Sequence, residues 1–142
     1  TMADGKPTVI AGSFFSAKCS DSSIAVGRLV QMDASNSSVT EMVVKAATAE
    51  TTIPFGITTT STSAADENVT IQIQGICNVS MDGSTIDEGS KIVSAAAGQG
   101  AVSTAEDATN QWCIGFAMAP SAVANDMIPV LISRFPLNKG TA

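Results

Sequence analysis

Histidine and tyrosine are absent from this chain, tryptophan occurs once, as Trp112, and aromatic residues make up only 4% of the sequence. Without histidine, the commonest general base and metal ligand near neutral pH is missing. An enzyme on this scaffold would have to work through carboxylates, lysine or cysteine. A sugar-cleaving site needs a carboxylate pair flanked by stacking rings, and the rings are in short supply. Charge is scarce as well. Asp, Glu, Lys and Arg amount to 14%, well below the usual quarter, and 7 basic residues against 13 acidic ones leave a net charge of −6. A surface of that sign releases no counterions from nucleic acid and gains nothing from an anionic membrane, so neither is expected as a partner. No apolar run is long enough for a membrane-spanning helix, and no basic-then-apolar leader opens the sequence.

Cysteine is limited to Cys19, Cys77 and Cys113. They lack the close spacing of a metal site, and an odd number does not suit a disulfide framework. Cys77 and Cys113 sit inside apolar strand patterns and read as buried small hydrophobes, as expected of a protein made in a reducing cytoplasm. No cofactor and no metal is expected.

What is present is a 142-residue chain, 44% hydrophobic, the size of one domain with a real core. Ala, Ser, Thr and Gly take the place of charge. Such a neutral surface suits close packing against other protein, and it equally suits a stable extracellular β-domain.

The body reads as short β-patterns separated by turn signals, with little that is helical. The clearest strand is "NVTIQIQG", residues 68–75, with Val69, Ile71 and Ile73 on one side and Thr70, Gln72 and Gln74 on the other. The first set belongs to a core. The second is polar and uncharged, which fits either a subunit contact or a solvated sheet face.

The second half repeats the first. Residues 86–93 echo 24–30 with Gly89 in the place of Gly27, "CIGF" follows the pattern of "PFGI", and residues 124–132 follow 65–73. Val69, Ile71 and Ile73 then fall on Ile128, Val130 and Ile132, and Asp66-Glu67 on Asn125-Asp126. Two copies do not make a solenoid but do predict a pseudo-symmetric β unit.

Most carboxylates, among them Asp66, Glu67, Asp82, Asp87, Glu88 and Asp126, lie in turns and read as solvated. The segment 82–88 lacks the ligand series of a calcium loop. Without His or a G-x-S-x-G elbow the many serines form no triad. Gly98-Gln99-Gly100 reads as a hairpin turn. Three glycosylation triplets, at Asn36, Asn68 and Asn78, are of the kind that a Ser/Thr-rich chain contains by chance.

Residues 1–20 hold no strand or helix period, and Phe14 and Phe15 are adjacent, so a strand would send one ring to each face. The segment fits an arm that adds a strand to another protein, or an ordinary first strand tied to its own sheet.

The order "AVGRLV", "PFGI", "ADENVTIQIQGICNVS", then "DEGSKIV", "CIGFA" and "NDMIPVLIS" resembles the phage capsid cement, or head-decoration, proteins over residues 24–133. That resemblance implies an all-β fold, a small β-barrel or β-tulip with pseudo-repeated halves. It implies an N-terminal arm (residues 1–20), a decoration domain (21–135), a C-terminal tail (136–142) and no enzymatic activity. It further implies a homotrimer on the outer surface of the virion, made in the host cytoplasm and bound to the major capsid protein. The capsid-binding residues would be Pro7, Thr8, Val9, Ile10, Phe14 and Phe15 on the arm, with Thr70, Gln72 and Gln74 between subunits. A secreted or tail-associated β-domain that acts as an adhesion module is the alternative reading.

Overall fold

Among the described residues the alternating segments become ten strands, five in a closed barrel and five in a second sheet that a single bridge draws into a barrel of the same design. The computed structural model describes residues 12–103 and 111–137. Strands β1 (Phe14–Cys19), β2 (Leu29–Met32), β3 (Val43–Ala46), β4 (Gly56–Thr58) and β5 (Asn68–Gln72) close into a barrel in the order β1-β3-β2-β4-β5. Strands β6 (Ile76–Ser80), β7 (Lys91–Ser94), β8 (Gly100–Val102), β9 (Gln111–Ala117) and β10 (Met127–Leu137) form a second sheet in the order β6-β10-β9-β7-β8. A parallel bridge between Met81 and Gly100 draws the ends of that sheet together. In the first barrel the parallel pair Cys19–Val44 does the same. Each strand of the first barrel thus has its counterpart five strands later, with the same neighbours.

The repeat extends to single bonds. Ile24 pairs with Thr62, and Ile86 with Ser121. Asp66 and Asn125 both adopt left-handed backbone, φ 67° and 70°, which short polar side chains tolerate best. Next to them, Glu67 accepts hydrogen bonds from the backbone N–H groups of Ser63 and Ala64 at 2.7 and 2.6 Å. These bonds hold its carboxyl below the ordinary value. Its counterpart Asp126 accepts one from the Ser121 hydroxyl at 3.0 Å.

Inside the first barrel, Ala17, Cys19, Ile24, Val30, Val44, Val69 and Ile71 form one core. The second barrel's core includes Cys77, Val79, Ile92, Ile114, Ile128 and Val130, and it also takes in Leu29, Ala47 and Ile57 from the first. Those three point outward from their own barrel and bury themselves against the other. The junction is stitched by backbone bonds from Ser80 to the Gly27 carbonyl (2.9 Å), Gly98 to Ala47 (2.8 Å) and Trp112 to Glu50 (2.9 Å).

Residues 14–19 are a barrel strand and belong to the body, the second of the two readings weighed for this segment. Residues 1–11, with Pro7, Thr8, Val9 and Ile10, lie outside the described residues. At the other end β10 runs on to Leu137, past the expected start of the tail.

All three cysteines are buried and free. Burial pushes the Cys77 thiol from 9.0 up to about 11 and raises Cys19 and Cys113 as well. Because the charged form is the one disfavoured in the fold, the unfolded chain loses its thiol protons first. Stability is therefore expected to fall as pH rises from about 9 through about 11. Thermal melts across that range should show the decline, and it should be shallower in Cys77→Ala; an equally steep decline in that variant would refute the assignment.

Candidate functional site

Among the described residues no group of three or more His, Cys, Asp or Glu side chains could hold a metal ion. The described residues form open grooves of about 510, 320 and 240 Å³. The first lies beside the barrel junction and is lined by Asp21, Ile24, Arg28, Lys45 and Ala97 among others. Its Arg28 guanidinium donates to the Ala97 carbonyl at 3.3 Å and the Asp21 carboxylate accepts from the Ala46 N–H at 2.8 Å. The Asp21 carboxylate and one nitrogen of the Arg28 guanidinium thus hold the backbone, while the buried Arg28 Nε has no partner among the described residues.

The second groove, about 320 Å³, is largely apolar. Met32, Ile53 and Phe55 line it together with Arg134 from β10. The Arg134 guanidinium sits 5.6 Å above the Phe55 ring and donates to the Pro54 carbonyl at 3.1 Å. The far end of β10 thereby locks the wall of the groove. Phe15 stacks on Phe55 with centroids 5.0 Å apart, and Phe14 turns to the other face, 45% exposed. The expectation of one ring to each side is met.

Strand β1 is paired along its whole length with β5, but with β3 only at Lys18 and Cys19. Among the described residues, the stretch from Phe14 to Ala17 therefore has a ladder on one side alone. It leaves a short open edge beside an exposed aromatic ring, of the kind to which another strand can add.

Residues 42–132, from the start of β3 to the middle of β10, match the family model described as phage cement protein. The chain belongs to the phage cement protein family. It is accordingly a phage structural protein associated with the capsid. No curated protein matches the chain. Among solved structures it resembles the head fiber gp8.5 N base of bacteriophage phi29, with 20% identity and a TM-score of 0.63 over 85% of this chain and 93% of that one. At that identity the likeness speaks for the fold.

On this cement protein the uncharged face of "NVTIQIQG" is not one surface. Thr70 is half-buried, and its carbonyl accepts from the Thr59 N–H at 2.9 Å. Gln72 is wholly buried, its amide donating to the carbonyls of Gln74 (2.7 Å) and Ile76 (3.1 Å), so it is not open to another subunit. Gln74 is exposed and accepts from the Ser13 hydroxyl at 2.8 Å. The cause is the turn at Gly75 (φ 92°), which carries the chain straight into the second barrel and covers the end of β5.

Sequence reasoning missed a different surface. On β10, Met127 and Leu131 are 41% and 44% exposed, and Met118, just beyond β9, is 40% exposed. The signal was present in "NDMIPVLIS", where Met127, Pro129 and Leu131 alternate with the core residues and leave the strand apolar on both sides.

Proposed function

We propose that the protein binds the outer surface of the assembled phage capsid and clamps neighbouring major capsid subunits, stabilising the head against the pressure of packed DNA. Family membership places the protein with the capsid; the open edge of β1 beside exposed Phe14 supports the finer reading. A clamp needs a contact that adds backbone hydrogen bonds and apolar area without chemistry, and that edge offers both. Phe14 and Phe15 stand at the root of the N-terminal segment, and Pro7, Thr8, Val9 and Ile10 would continue the contact along the capsid. The protein would act as a homotrimer, without enzymatic activity. Many copies of such a clip resist expansion by the interface each one buries.

The test is co-sedimentation with expanded capsids, comparing the full chain with one lacking residues 1–11. Both should fold, since the barrel strands remain intact, and the shortened chain should lose capsid binding. Full occupancy of the shortened chain would remove the arm from the proposal, and a full chain that ignores capsids would overturn it.

A further inference from the structure

We propose that the outer face of the second barrel, built on Ile76, Phe116, Met118, Met127 and Leu131, docks a second copy of this chain, which presents the β1–β3 edge of its first barrel. It deepens the self-association reading above by assigning the surfaces, and it does not depend on capsid binding.

The face is contiguous. Leu131 lies between Ile76 on β6 and Phe116 on β9 in the register of the sheet, and the Met118 N–H donates to the Pro129 carbonyl at 2.9 Å. The Phe116 ring leans on Phe135, with centroids 5.7 Å apart. The inward residues of the same strands, Cys77, Val79, Ile128 and Val130, are core. Met118, Met127 and Leu131 are each about two-fifths exposed. An apolar sheet face of this kind marks an interaction surface.

The internal repeat says what covers it. In the first barrel the counterparts of Lys91, Phe116 and Leu131 are Leu29, Ile57 and Gln72, and all three are 0% exposed. Leu29 and Ile57 are covered because the β6–β8 side of the second barrel docks there, through Ser80, Ala97 and Gly98. The counterparts of those three residues in the first barrel are Lys18, Glu41 and Met42. Among the described residues that edge is open: Lys18 and Glu41 form an exposed ion pair at 2.8 Å and Met42 is 38% exposed. The described residues therefore carry one used face-and-edge contact between the barrels, one unused face and one unused edge.

The unused pair is not an identical copy of the internal contact. A Cβ on Gly98 would lie 2.6 Å from the Leu29 carbonyl, and Met42 stands in that place on the edge. The contact between chains is accordingly wider and made by side chains, Met42 against Leu131 and Phe116. Face-to-edge contact is head-to-tail, so it closes into a ring or continues as a filament according to its rotation.

The test measures solution mass by light scattering for the full chain and for Leu131→Glu and Met42→Glu. The full chain should associate, while each of the two variants should dissociate on the order of tenfold or more readily. Circular dichroism melts check that every variant folds. Mixing Leu131→Glu with Met42→Glu should restore a dimer and nothing larger, because each supplies the surface the other has lost. A monomeric full chain, unchanged mass in Leu131→Glu, or a mixture that stays monomeric would each overturn the proposal. An oligomeric full chain with unchanged variants would leave self-association standing and move it to another surface.

Discussion

Gly115→Ala is expected to lower the thermal midpoint by roughly 10 °C, the product of a loss of about 3 kcal/mol and the usual few degrees per kcal/mol for a domain of this size. Propensity alone points the other way, since replacing glycine inside a strand removes conformational freedom from the unfolded chain. The close approach decides the sign. A Cβ on Gly115 would run into the carbonyl of Leu131 on the neighbouring strand and the Val130 side chain behind it. A flexible side chain could move aside, but a carbonyl in β10 cannot, because β10 is tied to β6 and β9 at once. Its counterpart Gly56 meets the same limit, 2.7 Å from the Gln72 carbonyl and 2.5 Å from Ile71, so Gly56→Ala should lose a similar amount. Gly89→Ala is the control. It has open space around it and left-handed backbone (φ 84°), so only about 1 kcal/mol of backbone strain is expected. An unchanged midpoint for Gly115→Ala would show that β10 can give way and that the argument is wrong.

Ile57→Ala should cost about 2–5 kcal/mol and weaken both barrels together. The side chain is fully buried, so truncation removes its transfer energy and leaves a cavity. Its place is what makes the prediction sharp. Ile57 belongs to β4 of the first barrel, yet its neighbours are the core residues of the second. Urea unfolding followed by Trp112 fluorescence reports on β9, and far-UV circular dichroism reports on both barrels. The two curves should coincide and shift together in Ile57→Ala. A Trp112 transition that stayed in place while the dichroism moved would mean that the barrels fold independently, against a shared core.

Much of this architecture was legible along the chain. The alternation in Val69–Ile71 and Ile128–Val130 placed the inner faces of β5 and β10 correctly. The recurrence of Gly27 at Gly89 and of Asp66 at Asn125 exposed the repeat, because left-handed backbone leaves a residue-type signature. Phe14 and Phe15 were divided between two faces as the strand period requires. What misled the reading of "NVTIQIQG" was treating one strand as continuous. Gly75 was taken as a step within a strand, and it is the point where the chain leaves one barrel for the other.

The outer faces could not be read in the same way. Period two tells which residues share a side, and an apolar side is assigned to a core because burying it is favourable. It does not tell which of two outer sides will meet another surface. Gln72 and Leu131 occupy the same place in the two halves, and polarity alone would expose the first and bury the second. The structure does the reverse. The reason is that the two barrels dock asymmetrically, so the first barrel's outer face is spent inside the chain and the second barrel's is left free. The sequence by itself determined an all-β body of short strands, the inner faces of β5 and β10, and their duplication. Only the tertiary structure decided which copy of each outer face meets water, because that depends on contacts between segments that are remote along the chain.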